Sequence, residues 1–332
     1  MQRFFFALVI LVHAIGCSNQ KPDSSSTSTN NSSQHRVTLQ LNWFPEAEHG
    51  GFYAANVRGF FADEGLDVTI QPGGPKVPVV QQLDSGRVDF AVMNADRIVF
   101  ARAKGVDIVA VLTPMQHSPH CIMVHRSAGI NKLEQLSDVT LAVGSGPAFY
   151  QFMARQLPLK NVKTVSYPGS IGPFLANDRF AQQAYVFSEP FLARQKGANP
   201  VCLMLSELGY DPYASLLVTR GATIRERPDL VRKMVRACIT GWRDYLNDPG
   251  PANDFIGRIN PEMNPPLLEF GAREIGKLCV LPDGANDIFG SMTLVRWETL
   301  VRQLEETDLI EAGTVQADRA FTTQFLQETS TH

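Results

Sequence analysis

The chain has 332 residues, 44% of them hydrophobic and 19% charged, which is the balance of a folded protein and not of a disordered or fibrous one. Its 30 Lys and Arg against 33 Asp and Glu leave a formal net charge of -3, so there is no electrostatic footprint for nucleic acid. The five cysteines form no C-x-x-C pair, which gives a zinc or redox module no support.

Residues 1–17 read M-Q-R-F-F-F-A-L-V-I-L-V-H-A-I-G-C. One Arg precedes an apolar run from Phe4 to Val12, shorter than the roughly 20 residues a membrane-spanning helix needs. A basic start, a short apolar core and small residues before a break describe a secretory signal. Ala14-Ile15-Gly16-Cys17 is similar to a bacterial lipobox, although Ala14 stands where Leu is usual. That resemblance implies cleavage before Cys17 and acylation of its sulfur; the alternative is an ordinary signal followed by a free or buried thiol. Residues 18–35, rich in Ser, Thr and Asn, bury too little apolar surface to fold and read as a flexible tether.

The first lobe opens with V-T-L-Q-L-N-W, whose alternation predicts a strand over 37–43. Pro45 ends it, and Gly50 and Gly51 lead into a helix over 51–64. Asn42, Trp43, Glu46, Glu48 and His49 are thereby crowded where a strand ends and a helix begins, with Tyr53 in the first turn beyond. Ligands of open α/β sheets bind at such strand ends. An indole face, an amide, carboxylates and an imidazole suit a flat polar ring; the competing reading makes Trp43 a core aromatic and the rest a solvated turn. Strands over 66–70, 88–92 and 108–112 and helices over 77–85 and 96–104 follow, an alternation that argues for a parallel, doubly wound sheet. Asn94 and Asp96 follow one strand, Asp96 as ligand contact or as helix cap. Cys121 to His125 reads as a strand leaving this lobe, and His120 and His125, five apart, face opposite sides and make a poor metal pair.

The second lobe has a strand over 140–143, a Gly144-Ser145-Gly146 turn and a helix over 148–156. Such a turn offers backbone N–H groups and a helix dipole to a ligand, or is only a tight connection; its spacing is neither a Walker loop nor a dinucleotide fingerprint. Strands over 162–167 and 183–187 follow, the latter running into Ser188-Glu189-Pro190. A carboxylate between a buried strand and a proline reads as a site residue or as an internal cap or salt bridge. Further strands are expected over 200–205 and 214–219, then helices from Arg225, over 263–277 and over 292–305. Leu230, Met234, Ala237, Cys238, Ile239 and Trp242 fall at helical spacing and read as core.

N-W-F-P-E-A-E-H-G-G-F-Y-A-A (42–55), L-D-S-G-R-V-D-F-A-V (83–92), A-V-G-S-G (142–146) and V-F-S-E-P (186–190) resemble the substrate-binding lipoproteins of bacterial ABC importers. More narrowly, the chain resembles the branch holding thiamine-pyrimidine-precursor binders, sulfonate and taurine binders and the fungal pyrimidine-precursor synthase. The resemblance implies a two-lobed α/β fold of the periplasmic-binding-protein type II kind. Each lobe would be a doubly wound mixed sheet, lobe 1 from 36–122 and 217–332 and lobe 2 from 123–216, with the ligand cleft between them. It also implies that Asn42 and Trp43 form part of a pyrimidine site, that Glu189 reaches an aminopyrimidine edge from the second lobe, and that Ser145 and Gly146 close the other edge. His49 is carried over by position alone, and Glu46, Tyr53, Asn94 and Asp96 complete the candidate set.

Glu46, Glu48 and Glu189 argue against an anionic ligand, and no cysteine cluster matches the synthase's iron-binding motif. The expectation is a periplasmic, lipid-anchored, monomeric binding protein without catalysis, metal or cofactor, delivering a small ligand to an inner-membrane permease. The alternatives are the same fold binding riboflavin, a sulfonate or another small aromatic, an enzyme of pyrimidine-precursor synthesis, and a surface sensor that presents its ligand to a receptor.

Overall fold

Strand β1 (His35–Gln40) buries Val37 and Leu39 on one face, and the apolar alternation runs on to Leu41. The computed structural model describes residues 34–144, 148–280 and 288–326, so the expectations for Cys17, the tether up to residue 33, Ser145 and Gly146 lie outside the described residues. After β1 come α1 (Gly50–Val57) and α2 (Phe60–Asp63), which the sequence reads as one helix. Gly59 separates them at φ 83°, a left-handed conformation that glycine adopts without a Cβ penalty. Then follow β2 (Leu66–Gln71), α3 (Val79–Asp84), β3 (Phe90–Met93), α4 (Ala95–Ala103) and β4 (Ile108–Leu112).

The chain next forms β5 (His120–His125), β6 (Thr140–Val143), α5 (Ala148–Gln156), β7 (Lys163–Ser166), α6 (Gly172–Ala176), β8 (Phe180–Tyr185), α7 (Glu189–Gln195) and β9 (Pro200–Met204). It returns through β10 (Leu216–Arg220) to α8 (Gly221–Glu226), α9 (Pro228–Asn247), α10 (Gly250–Ile259), α11 (Pro265–Leu278) and α12 (Leu294–Glu306).

The strands form two five-stranded mixed sheets, ordered β2-β1-β3-β10-β4 and β7-β6-β8-β5-β9. In the first, β10 runs antiparallel to β3 and β4; in the second, β5 runs antiparallel to β8 and β9. The parallel sheet read from the first lobe is thus mixed, because β10 enters it from the direction of the other sheet. β5 makes the converse crossing, and the expected lobe limit at 122/123 falls inside it.

The two crossings touch. Met115 bridges Ala214 in antiparallel fashion, and Asp211 accepts from the Ser118 N–H at 2.6 Å while lying 2.8 Å from His117 Nδ1. Arg296 of α12 donates to the carbonyls of both crossings, Gln116 at 2.5 Å and Asp211 at 2.8 Å.

Other differences have local causes. β8 spans 180–185 instead of 183–187, because it pairs with β6 from Thr140–Phe180 onward and residues after Tyr185 turn toward Glu189. Helix α10 is missed because Pro249, Gly250 and Pro251 look like a breaker, yet proline is well accommodated in a first turn. α11 starts two residues later than expected, where the Asn264 side chain caps the Leu267 N–H at 3.1 Å. α9 buries Leu230, Met234, Cys238 and Trp242 as the spacing predicts.

Gly50 and Gly51 allow the close approach their sequence suggests. A Cβ on Gly50 would be driven into the Tyr245 ring, and one on Gly51 into the Trp242 ring, so α1 lies directly on α9. On the other side of the segment, Gly73 N donates to Trp43 O at 2.8 Å, and a Cβ there would strike the backbone of Leu41 to Trp43. The Pro72–Pro75 loop and α9 together fix where residues 42–51 stand.

Candidate functional site

The β1 ladder ends at Gln40, and the backbone then makes an irregular turn into a short 3-10 helix, Ala47–His49. That turn and the ends of β5 and β8 enclose a cavity of about 320 Å³ between the two sheets. From the first lobe Asn42, Trp43, Glu46 and Glu48 reach it; from the second Tyr167, Gln183, Tyr185 and Glu189 do. Among the described residues that line it there is no Lys, Arg or Cys.

A hydrogen-bond network holds the first-lobe wall. Asn42 Nδ2 donates to Glu48 Oε1 at 2.9 Å, and Asn42 Oδ1 lies 2.8 Å from His49 Nε2. Ser215, at the mouth of β10, donates its hydroxyl to the same Glu48 oxygen at 2.5 Å. Its φ of 54° is left-handed, an uncommon conformation for a serine, held because its N–H also donates to Asn94 Oδ1 at 3.1 Å. Glu48 Oε2 is buried without a partner among the described groups.

Burial, with Glu48 and Glu189 nearby, raises the Glu46 pKa well above its ordinary value, so this carboxyl is held toward the neutral acid. His49 is fully buried, and burial lowers its pKa.

The second-lobe wall is built on Glu189, the first residue of α7. Its Oε1 accepts from the Tyr167 hydroxyl at 2.8 Å and its Oε2 from the Tyr185 N–H at 2.9 Å. Enclosure of this carboxylate raises its pKa, opposed by those same bonds. Each oxygen keeps a lone pair for a further donor. His120 stands edge-on to Tyr185, ring centroids 4.6 Å apart, and burial with the nearby Arg97 charge lowers its pKa to about 4. Gln183 Oε1 accepts from Gly144 N at 2.6 Å, which ties β8 to the start of the glycine-rich turn.

Of the sequence-predicted residues, Asn42, Trp43, Glu46 and Glu189 meet in this cavity. His49 does not line it and serves Asn42 from behind. Tyr53 is buried against Phe255 of α10 at a centroid distance of 5.5 Å, away from the cavity lining. Asn94 spends its amide on Ser215 and on the Tyr185 hydroxyl, 2.9 Å away across the cleft. Asp96 bonds the Arg97 N–H at 2.8 Å and is not in the lining.

Sequence reasoning passed over Tyr167, Gln183, Tyr185 and His120. Tyr185 and Gln183 alternate along β8 toward the cavity, a face that the strand pattern contains but that only the sheet packing turns toward the site.

Among the described residues no group of three or more His, Cys, Asp or Glu is placed to hold a metal, and no helix is long and apolar enough to cross a membrane. What the walls offer is an aromatic face and several acceptors, suited to a ring bearing N–H donors.

The chain is similar to the formylaminopyrimidine-binding protein of Halalkalibacterium halodurans, 22% identical over 304 residues that cover 89% of this chain and 92% of that protein. It is also similar to a 4-amino-5-hydroxymethyl-2-methylpyrimidine phosphate synthase of Candida albicans, 32% identical over 258 residues, 71% of this chain and 74% of the synthase. In fold it is similar to the periplasmic aliphatic sulphonate binding protein SsuA of Escherichia coli, with a TM-score of 0.67 at 12% identity, covering 88% of this chain and 93% of that one. The two-lobed periplasmic-binding-protein architecture is shared with that structure. Residues 46–252, most of both walls included, match the NMT1/THI5-like description, and the chain belongs to that family.

Proposed function

We propose that this chain is an extracytoplasmic solute-binding protein that captures a small amine-bearing heteroaromatic ring, an aminopyrimidine of the thiamine-precursor class, for an ABC importer. The observation that carries this reading is Glu189. Its carboxylate is oriented by Tyr167 and Tyr185, retains acceptor capacity, and shares a cavity with Trp43 and, among the described residues, with no Lys or Arg. An amino group and an adjacent ring nitrogen pair with such a carboxylate while the ring stacks on the indole.

The volume of about 320 Å³ sits at the bottom of the range for ligand clefts, which suits a single substituted ring better than a flavin. Four lining glutamates, Glu46, Glu48, Glu189 and Glu262, with no Lys or Arg among the described lining residues, disfavour a sulfonate. The relative named for binding and the relative named for synthesis share the pyrimidine, and the chemistry of the walls supports binding. A lining without lysine or cysteine supplies no amine for a Schiff base and no thiol nucleophile. Signal, lipid anchor at Cys17, tether, permease and monomeric state complete the reading, with the tether keeping the body near a membrane surface.

Native mass spectrometry of the full chain tests it. A co-purifying or added hydroxymethyl- or formylaminopyrimidine is expected at one per chain, with thermal stabilisation that riboflavin and alkanesulfonates do not give. Stabilisation by riboflavin or a sulfonate alone would replace the ligand. Turnover of a pyrimidine precursor would replace the function.

A further inference from the structure

The second sheet carries four sulfur side chains on one face of two neighbouring strands. β5 and β9 are antiparallel, in a register that pairs Cys121 with Met204 and Met123 with Cys202. Residues paired across a ladder share a face, as do residues two apart along a strand. The four therefore stand at the corners of one rectangle, thiols on one diagonal and thioethers on the other.

Cys121 and Met123 are fully buried. Cys202 and Met204 pack half-buried against them on β9, the outer strand of the sheet, which gives an approach from solvent. Both cysteines are free thiols.

The third strand adds a second observation. β8 places Gln182 opposite Met123, on the same face. Gln182 is fully buried, and neither atom of its amide has a partner among the described residues. Leaving such a buried amide without partners is unfavourable, and a thiolate sulfur beside it would accept from its nitrogen.

Diagonal neighbours across an antiparallel ladder lie about 7–8 Å apart at Cα, whereas a disulfide needs about 6.8 Å or less. An ion bonded to both sulfurs at about 2.3 Å spans sulfurs up to roughly 4.6 Å apart without moving the strands. Two thiolates and two thioethers form a soft donor set, which selects Cu(I) over zinc, calcium or magnesium.

We propose that Cys121, Cys202, Met123 and Met204 bind a soft monovalent cation, Cu(I) by class, with Gln182 as a positioning residue. On binding, two S–H bonds are exchanged for two S–Cu bonds and both protons pass to solvent; no electron moves. This inference stands apart from the identity of the ring in the cleft.

The test uses the full chain, reduced and kept anaerobic, titrated with Cu(I) against bicinchoninate as a chromophoric competitor, with native mass spectrometry counting ions. One Cu(I) per chain is expected. Cys202→Ser is expected to lose it, and a Cys238→Ser/Cys279→Ser double variant to keep it. Met123→Leu with Met204→Leu, a swap cores tolerate, is expected to keep the thermal midpoint and weaken retention about tenfold. Gln182→Leu is expected to weaken retention about 10–100-fold. The inference is overturned if the reduced chain takes up no Cu(I), if Cys202→Ser retains the ion, or if the isolated chain is short by two hydrogens because Cys121 and Cys202 are joined.

Discussion

Replacing Glu189 by Gln removes one charge and almost no volume. In the parent chain both oxygens already accept one bond each, from Tyr167 at 2.8 Å and from the Tyr185 N–H at 2.9 Å. The amide satisfies the same neighbours: its oxygen takes the Tyr185 N–H, and its nitrogen donates to the Tyr167 oxygen, whose own hydrogen turns away. Folding is therefore expected to change by less than about 1 kcal/mol, since the buried charge that burial disfavours has also gone.

Ligand binding is expected to change far more. A bond from a ring N–H to a carboxylate contributes about 1.5–3 kcal/mol. Losing it raises Kd roughly 10- to 150-fold. Isothermal titration with hydroxymethylaminopyrimidine reads the affinity, and the thermal midpoint of the ligand-free variant confirms the fold. An unchanged Kd in a folded Glu189→Gln chain, with Trp43→Ala still weakening binding, would refute the reasoning, because the ring would then be held on the indole side alone.

Trp43→Ala, at a half-buried position, is expected to leave the ligand-free midpoint nearly unchanged and to lose about 1 kcal/mol of stacking, roughly fivefold in Kd by titration. Glu46 has a folded pKa raised above its ordinary 4.5, so its folded form binds more protons and its contribution to stability is lost as pH rises through the raised value. His49 and His120 act oppositely on acidification, which makes the difference from the parent chain the useful readout. Glu46→Gln is expected to gain thermal midpoint relative to the parent as pH is raised from about 5 to 8, and a constant difference would contradict the raised value. Gly51→Ala drives a methyl into the Trp242 ring and is expected to cost about 1–3 kcal/mol in denaturant unfolding, loosening α1 and the turn before it.

The part of the site that follows from local chemistry was legible in the sequence. The alternation at 37–41, the stop at Pro45 and the paired glycines place Asn42, Trp43 and Glu46 at a strand end, and the Glu189-Pro190 step places the second carboxylate. The part that depends on which way a side chain leaves a helix or a strand was not. Tyr53 lies next to the site in sequence, but the first turn of α1 carries its ring toward α10. Gln183 and Tyr185 lie on one face of a strand in the expected and the observed span alike, but which face meets the other lobe is set by the sheet order and not by the local sequence. Asn94 looks like a free amide at a strand end. Only the fold shows that both its atoms are committed, one to the hinge serine and one to the opposite lobe.

That last bond bears on how the molecule behaves without cargo. Asn94 and Tyr185 join the lobes through groups of the chain alone. A net contribution of about 0.5–1.5 kcal/mol from one such bond favours the shut form two- to twelvefold over what it would otherwise be. Empty carriers therefore spend part of their time disguised as loaded ones, and a permease that read only the shut outline would be occupied by them. Either futile docking is tolerated, or the loaded form is distinguished by the few degrees of further closure that the ring's own contacts add. Asn94→Ala separates the two cases: it should thin the population of shut, empty molecules and relieve competition for the permease, at the cost of a weaker grip on the cargo.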